Sequence, residues 1–151
     1  MGEMLKNCAT MALCVTFSVA CTSGARSTGI FEPLIDARAI PTTLLSTTVE
    51  PARGRSDLRV EGVSGGVVVT WALDADPCLL ATARGEQKGQ VIQIVVERAG
   101  NPAALCAPAA VQYRYVIRAV TTTRGRYEVR VADARLGWPT RELTRTPVVL
   151  P

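Results

Sequence analysis

Side chains that can attack, ligate or carry protons are scarce in this 151-residue chain. It contains no histidine, which removes the commonest general base and the commonest metal ligand together. Ser46, Ser56 and Ser64 supply hydroxyls, but no imidazole exists to activate them. A serine–lysine pair would have to use Lys88, which stands in what reads as a hairpin tip, Gly85-Glu86-Gln87-Lys88-Gly89, where a solvated lysine is the ordinary occupant. Gly62-Val63-Ser64-Gly65-Gly66 is glycine-rich yet lacks the lysine and the following helix of a phosphate loop. Asp74 and Asp76 form a DxD pair with the oxygens Ca²⁺ prefers, but Gly85 falls where a bidentate glutamate belongs. The pair reads better as a turn before Pro77, its carboxylates bonding backbone amides. No spacing among Asp74, Asp76, Glu86, Glu97, Glu128 and Asp133 places two carboxylates across a glycosidic bond. The sequence therefore assigns no catalytic residue, no metal and no cofactor, and the expected class is not an enzyme.

What it offers instead is cationic and aromatic contact. Seventeen Lys and Arg face 13 Asp and Glu for a net charge of +4, and only Lys6 and Lys88 are lysines. So thin a surplus is an ordinary solvated surface, without the dense stripe nucleic acid requires. If residues 111–120 and 125–133 form a hairpin, Arg114, Arg118, Arg126 and Arg130 share one outward face around Glu128. Such a face can meet an anionic polysaccharide, lipid headgroups or an acidic envelope protein. The same pattern also serves as a plain solvent face that keeps a sheet from aggregating. Trp71 alternates with Val67, Val69 and Leu73 and belongs to a core; Trp138, between Gly137 and Pro139, is the tryptophan placed for contact.

The N-terminus reads as an address. Ala9 to Ala20 is a mostly apolar run of 12 residues, too short to span a bilayer but suited to a signal peptide. Glu3 cancels Lys6 in the preceding segment, and starting at Met4 instead of Met1 would restore its charge. Small residues at Ser18 and Ala20 fit cleavage before Cys21, giving a signal peptide over 1–20, a tether over 21–43 and a domain over 44–151. Ser18-Val19-Ala20-Cys21 resembles a bacterial lipobox, departing from it at Ser18 where leucine is usual. That resemblance implies a lipid on Cys21, a membrane as partner and a cell-envelope location, periplasmic or on the outer membrane. Cleavage leaves Cys21, Cys78 and Cys106; lipidation of the first leaves an even pair, plain secretion an odd thiol. Plain secretion and an uncleaved anchor are the other two outcomes. Within the tether, Ile30-Phe31 and Leu34-Ile35 are hydrophobes that either form a short strand or dock on the domain.

From Leu44 onward the recurring period is two, the mark of half-buried strands. Leu58 and Val60 alternate with Asp57, Arg59 and Glu61; Val67, Val69, Trp71 and Leu73 line the next strand; Leu79 to Arg84 is weaker. Ile92, Ile94 and Val96 point inward along the strongest strand, while Val91 and Val95 imply partial cover on its other face. Ala99 to Ala110 is a Pro- and Ala-rich crossing between sheets. Val111, Tyr113, Tyr115 and Ile117 follow, then Tyr127, Val129 and Val131, then a last strand from Glu142 to Leu150. About seven or eight short strands with turns between them spell an all-β, antiparallel, two-sheet sandwich, with a small barrel as the alternative. In an exported domain Cys78 and Cys106 are expected as a disulfide, worth roughly 3–4 kcal/mol for a loop of about 29 residues; free thiols or half a zinc site are the other uses. Gly125-x-Tyr127-x-Val129-x-Val131 resembles a late strand of Ig-like and transthyretin-like bacterial modules. With Pro77-Cys78 and Cys106, the stretch from Val67 to Val149 is similar to small bacterial lipoproteins of sandwich type, a resemblance that implies the Ig-like fold and brings no activity. The function expected is a non-enzymatic lipoprotein or secreted domain with a binding or structural role. A carbohydrate- or anionic-polymer-binding module is the first alternative, and a small envelope hydrolase or inhibitor the second.

Overall fold

The computed structural model describes residues 29–75, 77–102, 106 and 110–151. The expected signal segment, the lipidation candidate Cys21 and Asp76 lie outside the described residues. Within them the alternating pattern becomes nine strands: β1 (Arg38–Ile40), β2 (Thr42–Pro51), β3 (Asp57–Val63), β4 (Gly66–Ala75), β5 (Leu79–Lys88), β6 (Val91–Gly100), β7 (Val111–Val120), β8 (Gly125–Arg135) and β9 (Arg141–Leu150). They form a β-sandwich of a five-stranded sheet, β1-β5-β6-β8-β9, and a four-stranded sheet, β2-β7-β4-β3. Val67, Val69, Trp71, Tyr113, Tyr115 and Ile117 project from the smaller sheet. They meet Ile92, Ile94, Val96, Tyr127, Val129 and Val131 of the larger one in a single core. These are the β-branched and aromatic residues that fit a pleated, half-buried surface.

Strands begin earlier than the sequence suggests. Residues 38–43, expected as tether, supply β1 and the start of β2, which raises the strand number to nine. Pro41 stands between the two; having no N–H, it interrupts the ladder and lets the chain pass from one sheet to the other. The loop expected over Gly85–Gly89 also shrinks, because β5 runs on to Lys88 and only Gly89-Gln90 turns. Gly85 is a strand residue opposite Ile40. A Cβ there would fall on the Thr42 hydroxyl and the Ile40 side chain, so this glycine serves the closure of the sandwich edge.

One pairing departs from an antiparallel sandwich. β6 and β8 run parallel, Val91 beside Glu128 and Arg98 beside Arg135, with β7 of the opposite sheet lying between them in sequence. All other pairs are antiparallel. The expected hairpin of 111–120 with 125–133 is therefore absent: β7 and β8 belong to different sheets. The strong local turn signal at 121–124 joins the sheets instead of two neighbours in one.

Before β1 the chain is part of the domain as well. Ile30 bridges Arg141 at the β9 edge of the larger sheet, and Arg38 pairs with Gln87 at its opposite edge. Residues 31–37 thus traverse that sheet's outer face, with the Lys88 ammonium donating to the Ile35 carbonyl (2.8 Å). Gln93, Val95 and Ala132 on that face are buried, the partial cover that Val91 and Val95 signal in the sequence. Phe31 and Leu34 are half-buried, whereas Ile30 and Ile35 stay exposed.

The registers place the ends of β2, β4, β6 and β8 and the starts of β3, β5, β7 and β9 at one end of the sandwich, with the connections 52–56 and 136–140. The Cys78–Cys106 disulfide sits there too.

Candidate functional site, an arginine-lined end of the sandwich

Two adjoining clefts open at this end, and the segment Arg53-Gly54-Arg55-Ser56 lies between them. Its position is fixed by the end of β4. The Asp74 carboxylate accepts the backbone N–H groups of Arg53 (3.2 Å) and Gly54, and Gln112 Nε2 donates to the Arg55 carbonyl (3.1 Å) and to Asp74 Oδ1 (3.3 Å). Asp74 bonds backbone amides, as expected of it, but from the end of β4 and across to the 52–56 loop instead of within a turn before Pro77. Among the described residues no three Cys, Asp or Glu side chains gather as a metal would require.

The first cleft, about 310 Å³, lies on the outer face of the smaller sheet and is lined by Arg53, Arg55, Asp57, Arg59, Gln112 and Arg114 over a floor of Ala72. Strand register makes the depression: Asp57, Ala72 and Arg114 stand side by side across β3, β4 and β7, and the alanine between longer side chains leaves the gap. Arg53 pairs with Glu50 (2.7 Å) and Arg59 with Asp57 (3.2 Å). Among the described residues Arg55 and Arg114 have no acidic partner. Such exposed pairs hold little energy and yield readily to a better anion.

The second cleft, about 390 Å³, opens between the sheets and is lined by Arg55, Trp71, Leu73, Asp74, Arg141 and Leu143, with Arg98 and Asp133 at its base. Arg98 and Asp133 are 6% and 8% exposed. Arg98 Nε and Nη2 donate to the two carboxylate oxygens at 2.7 and 2.5 Å, a bidentate pairing, and the guanidinium lies 5.3 Å from the Trp71 ring centre. Behind them stand Trp71, Tyr115 and Tyr113, with ring centres 5.9 and 5.8 Å apart. The Tyr113 hydroxyl accepts the Leu79 N–H (3.0 Å). The Tyr115 hydroxyl is buried with no hydrogen-bond partner among the described residues. Burial pushes its pKa up to about 12, against the opposing pull of the Arg98 charge.

From sequence, Asp133 stands only as a possible catalytic carboxylate and Arg98 is passed over, although a signal for the pair exists. Arg98 is in phase with Ile92, Ile94 and Val96, and Asp133 with Tyr127, Val129 and Val131. A single charge continuing an inward apolar series, on each of two strands, marks opposite partners inside a core. Their meeting also needs the parallel β6–β8 register, which no local pattern announces.

The arginines singled out by sequence are divided. Arg114 and Arg118 lie on the outer face of the smaller sheet, Arg126 and Arg130 on that of the larger, where Arg130 Nε binds Glu128 (2.6 Å). They make no common patch; only Arg114 joins the cleft. Trp71, in β4, is 2% exposed and Trp138, in the 136–140 turn, 67%, with the Arg135 guanidinium 5.8 Å from the Trp138 ring centre. The Lys88 ammonium is engaged by Ile35, and none of Ser46, Ser56 or Ser64 is hydrogen-bonded to it. No protein-family model matches the chain, and no curated protein or solved structure gives a match.

Proposed function

We propose that this chain is a non-enzymatic β-sandwich of the cell envelope, held on a membrane through a lipid at Cys21, that binds an anionic envelope polymer such as an acidic polysaccharide. The observation that carries the binding role is the cleft of Arg53, Arg55, Arg59 and Arg114, in which Arg55 and Arg114 point no charge at an acid among the described residues. Planar guanidinium groups around a depression suit carboxylates or phosphates taken two oxygens at a time. The backbone clamp on Asp74 holds the loop that presents two of the four arginines, so little ordering is left for the moment of binding. Export is supported by the apolar segment before Cys21 and by the disulfide, a bond that persists in oxidising compartments. The sandwich fold agrees with the resemblance to small bacterial lipoproteins with Ig-like or transthyretin-like domains. A non-enzymatic role is favoured by the absence of histidine from the sequence.

Binding of polygalacturonate, with neutral dextran as control, tests the reading by calorimetry across a salt series. The acidic polymer should bind, more weakly as salt rises. Replacing Arg55 and Arg114 together by glutamine should weaken it by about tenfold or more, the worth of a charge-assisted contact. Equal binding of dextran, or an affinity indifferent to the double substitution, would refute the cleft as the site.

A further inference from the structure

We infer that the loop end of the sandwich on its five-stranded side is the face laid against the membrane, with Trp138 and Leu136 at the lipid interface and Arg135 and Arg141 toward anionic headgroups. The inference rests on the anchored reading above and adds to it an orientation and a contact surface.

Where the chain enters the domain is the first ground. Ile30 bridges Arg141 at the start of β9, which is the end that also carries the 136–140 turn. From Cys21 to Ile30 are nine residues, and nine residues reach at most roughly 30 Å when fully extended. The strands are mostly 10 residues long, so the opposite end of the sandwich stands roughly 30 Å away along them, the full reach of that segment. A lipid on Cys21 therefore holds the loop end near the bilayer, and only a fully stretched tether would let the far end reach it.

The character of that surface is the second ground. Ile30, Leu136 and Trp138 are among the most exposed large hydrophobic residues described, and all three gather around the start of β9. Tryptophan is the side chain most at home at the level of the headgroups, its ring apolar and its N–H wet. Arg135 lies against the Trp138 ring, and Arg141 stands at the mouth of the second cleft. Each arginine near an anionic leaflet strengthens attachment about fivefold. The arginine cleft over Ala72 lies on the outer face of the other sheet, so a domain docked this way keeps that cleft open to a soluble polymer.

The experiment uses the full chain, produced with its own N-terminal segment, extracted from membranes and reconstituted into vesicles of phosphatidylglycerol and acyl-brominated phosphatidylcholine. The chain has two tryptophans, and Trp71 is shielded in the core, so bromine quenching reads Trp138. The expected result is co-flotation with the vesicles and loss of most of the Trp138 component, defined by difference from Trp138→Phe. Arg141→Gln should lower the ratio of quenched to unquenched Trp138 about fivefold. A protein that floats with Trp138 unquenched overturns the orientation while leaving the anchor intact. One that does not float overturns the anchor and the orientation together. Emission from Trp138 that ignores the lipid but shifts with a neutral oligosaccharide reassigns the turn to sugar contact and likewise overturns the inference.

Discussion

Replacing one member of the Arg98–Asp133 pair should be among the costliest single changes this domain can suffer, and replacing both should cost far less. Both groups are under a tenth exposed, bonded through two N–H···O contacts, and the guanidinium is further covered by Trp71. Asp133→Asn leaves the shape almost unchanged but strands a positive charge between Trp71 and an amide. Breaking a buried pair in this way costs about 3–5 kcal/mol. Against a total stability of about 5–15 kcal/mol for a domain, that is about a fifth of the whole or more. Arg98→Met combined with Asp133→Leu removes both charges, keeps apolar volume beside Trp71, and should lie within about 1 kcal/mol of the parent or above it. The assay is urea unfolding followed by Trp71 emission in a Trp138→Phe background, with midpoint and slope fitted separately. A double-variant cycle should return a coupling of about 3 kcal/mol or more. If Asp133→Asn costs under about 1 kcal/mol, water reaches the pair through the cleft and the low-dielectric reasoning fails. If the double variant costs the sum of the singles, the two residues do not act as a unit.

Three further outcomes follow from the same structure. Tyr115 should make the fold sensitive to strong alkali: its pKa rises on folding from 10 to about 12, so the unfolded chain loses the phenolic proton first. Stability attributable to it is whole below pH 10 and falls by up to roughly 2–3 kcal/mol as pH climbs through 12; Tyr115→Phe should flatten that part of a stability–pH curve, and an unchanged curve would count against the assignment. Gly62→Ala should lower the unfolding midpoint sharply, because a Cβ there meets the Val149 carbonyl oxygen and Val148 Cγ1 at 2.8 Å, where β3 closes on β9; a loss under about 1 kcal/mol in denaturant titration would show that edge free to shift. Reducing Cys78–Cys106, or replacing both with alanine, should cost about 3–4 kcal/mol, since the bond closes a loop with a sequence separation of 28; matched unfolding curves with and without reductant check it.

How much of this was legible from residues alone depends on the range of the forces involved. Period-two alternation fixed which face of each strand is apolar, because neighbouring side chains point to opposite sides of a pleat whatever lies beyond. It therefore reported an all-β fold of two sheets or a small barrel and the burial of Trp71, while the Gly137–Pro139 turn marked Trp138 as the tryptophan for contact. The cysteine count and the expectation of export made a Cys78–Cys106 bond the default, and the two sulfurs are joined. Tertiary structure alone decided which strands are neighbours. A turn at 121–124 looks the same whether it closes a hairpin or crosses between sheets, since the choice is made by burying β7 against β4 and β8 against β6. That choice separated Arg114 and Arg118 from Arg126 and Arg130, and it set Arg98 beside Asp133. Gly85 shows the same division at one residue: the sequence reads it as part of a hairpin tip, and only the approach of Thr42 from the other sheet shows it as a strand residue with no room for a Cβ. The arginine cleft belongs to the same class, because Arg53, Arg55, Arg59 and Arg114 come from a loop and two strands that no local interaction could have brought together.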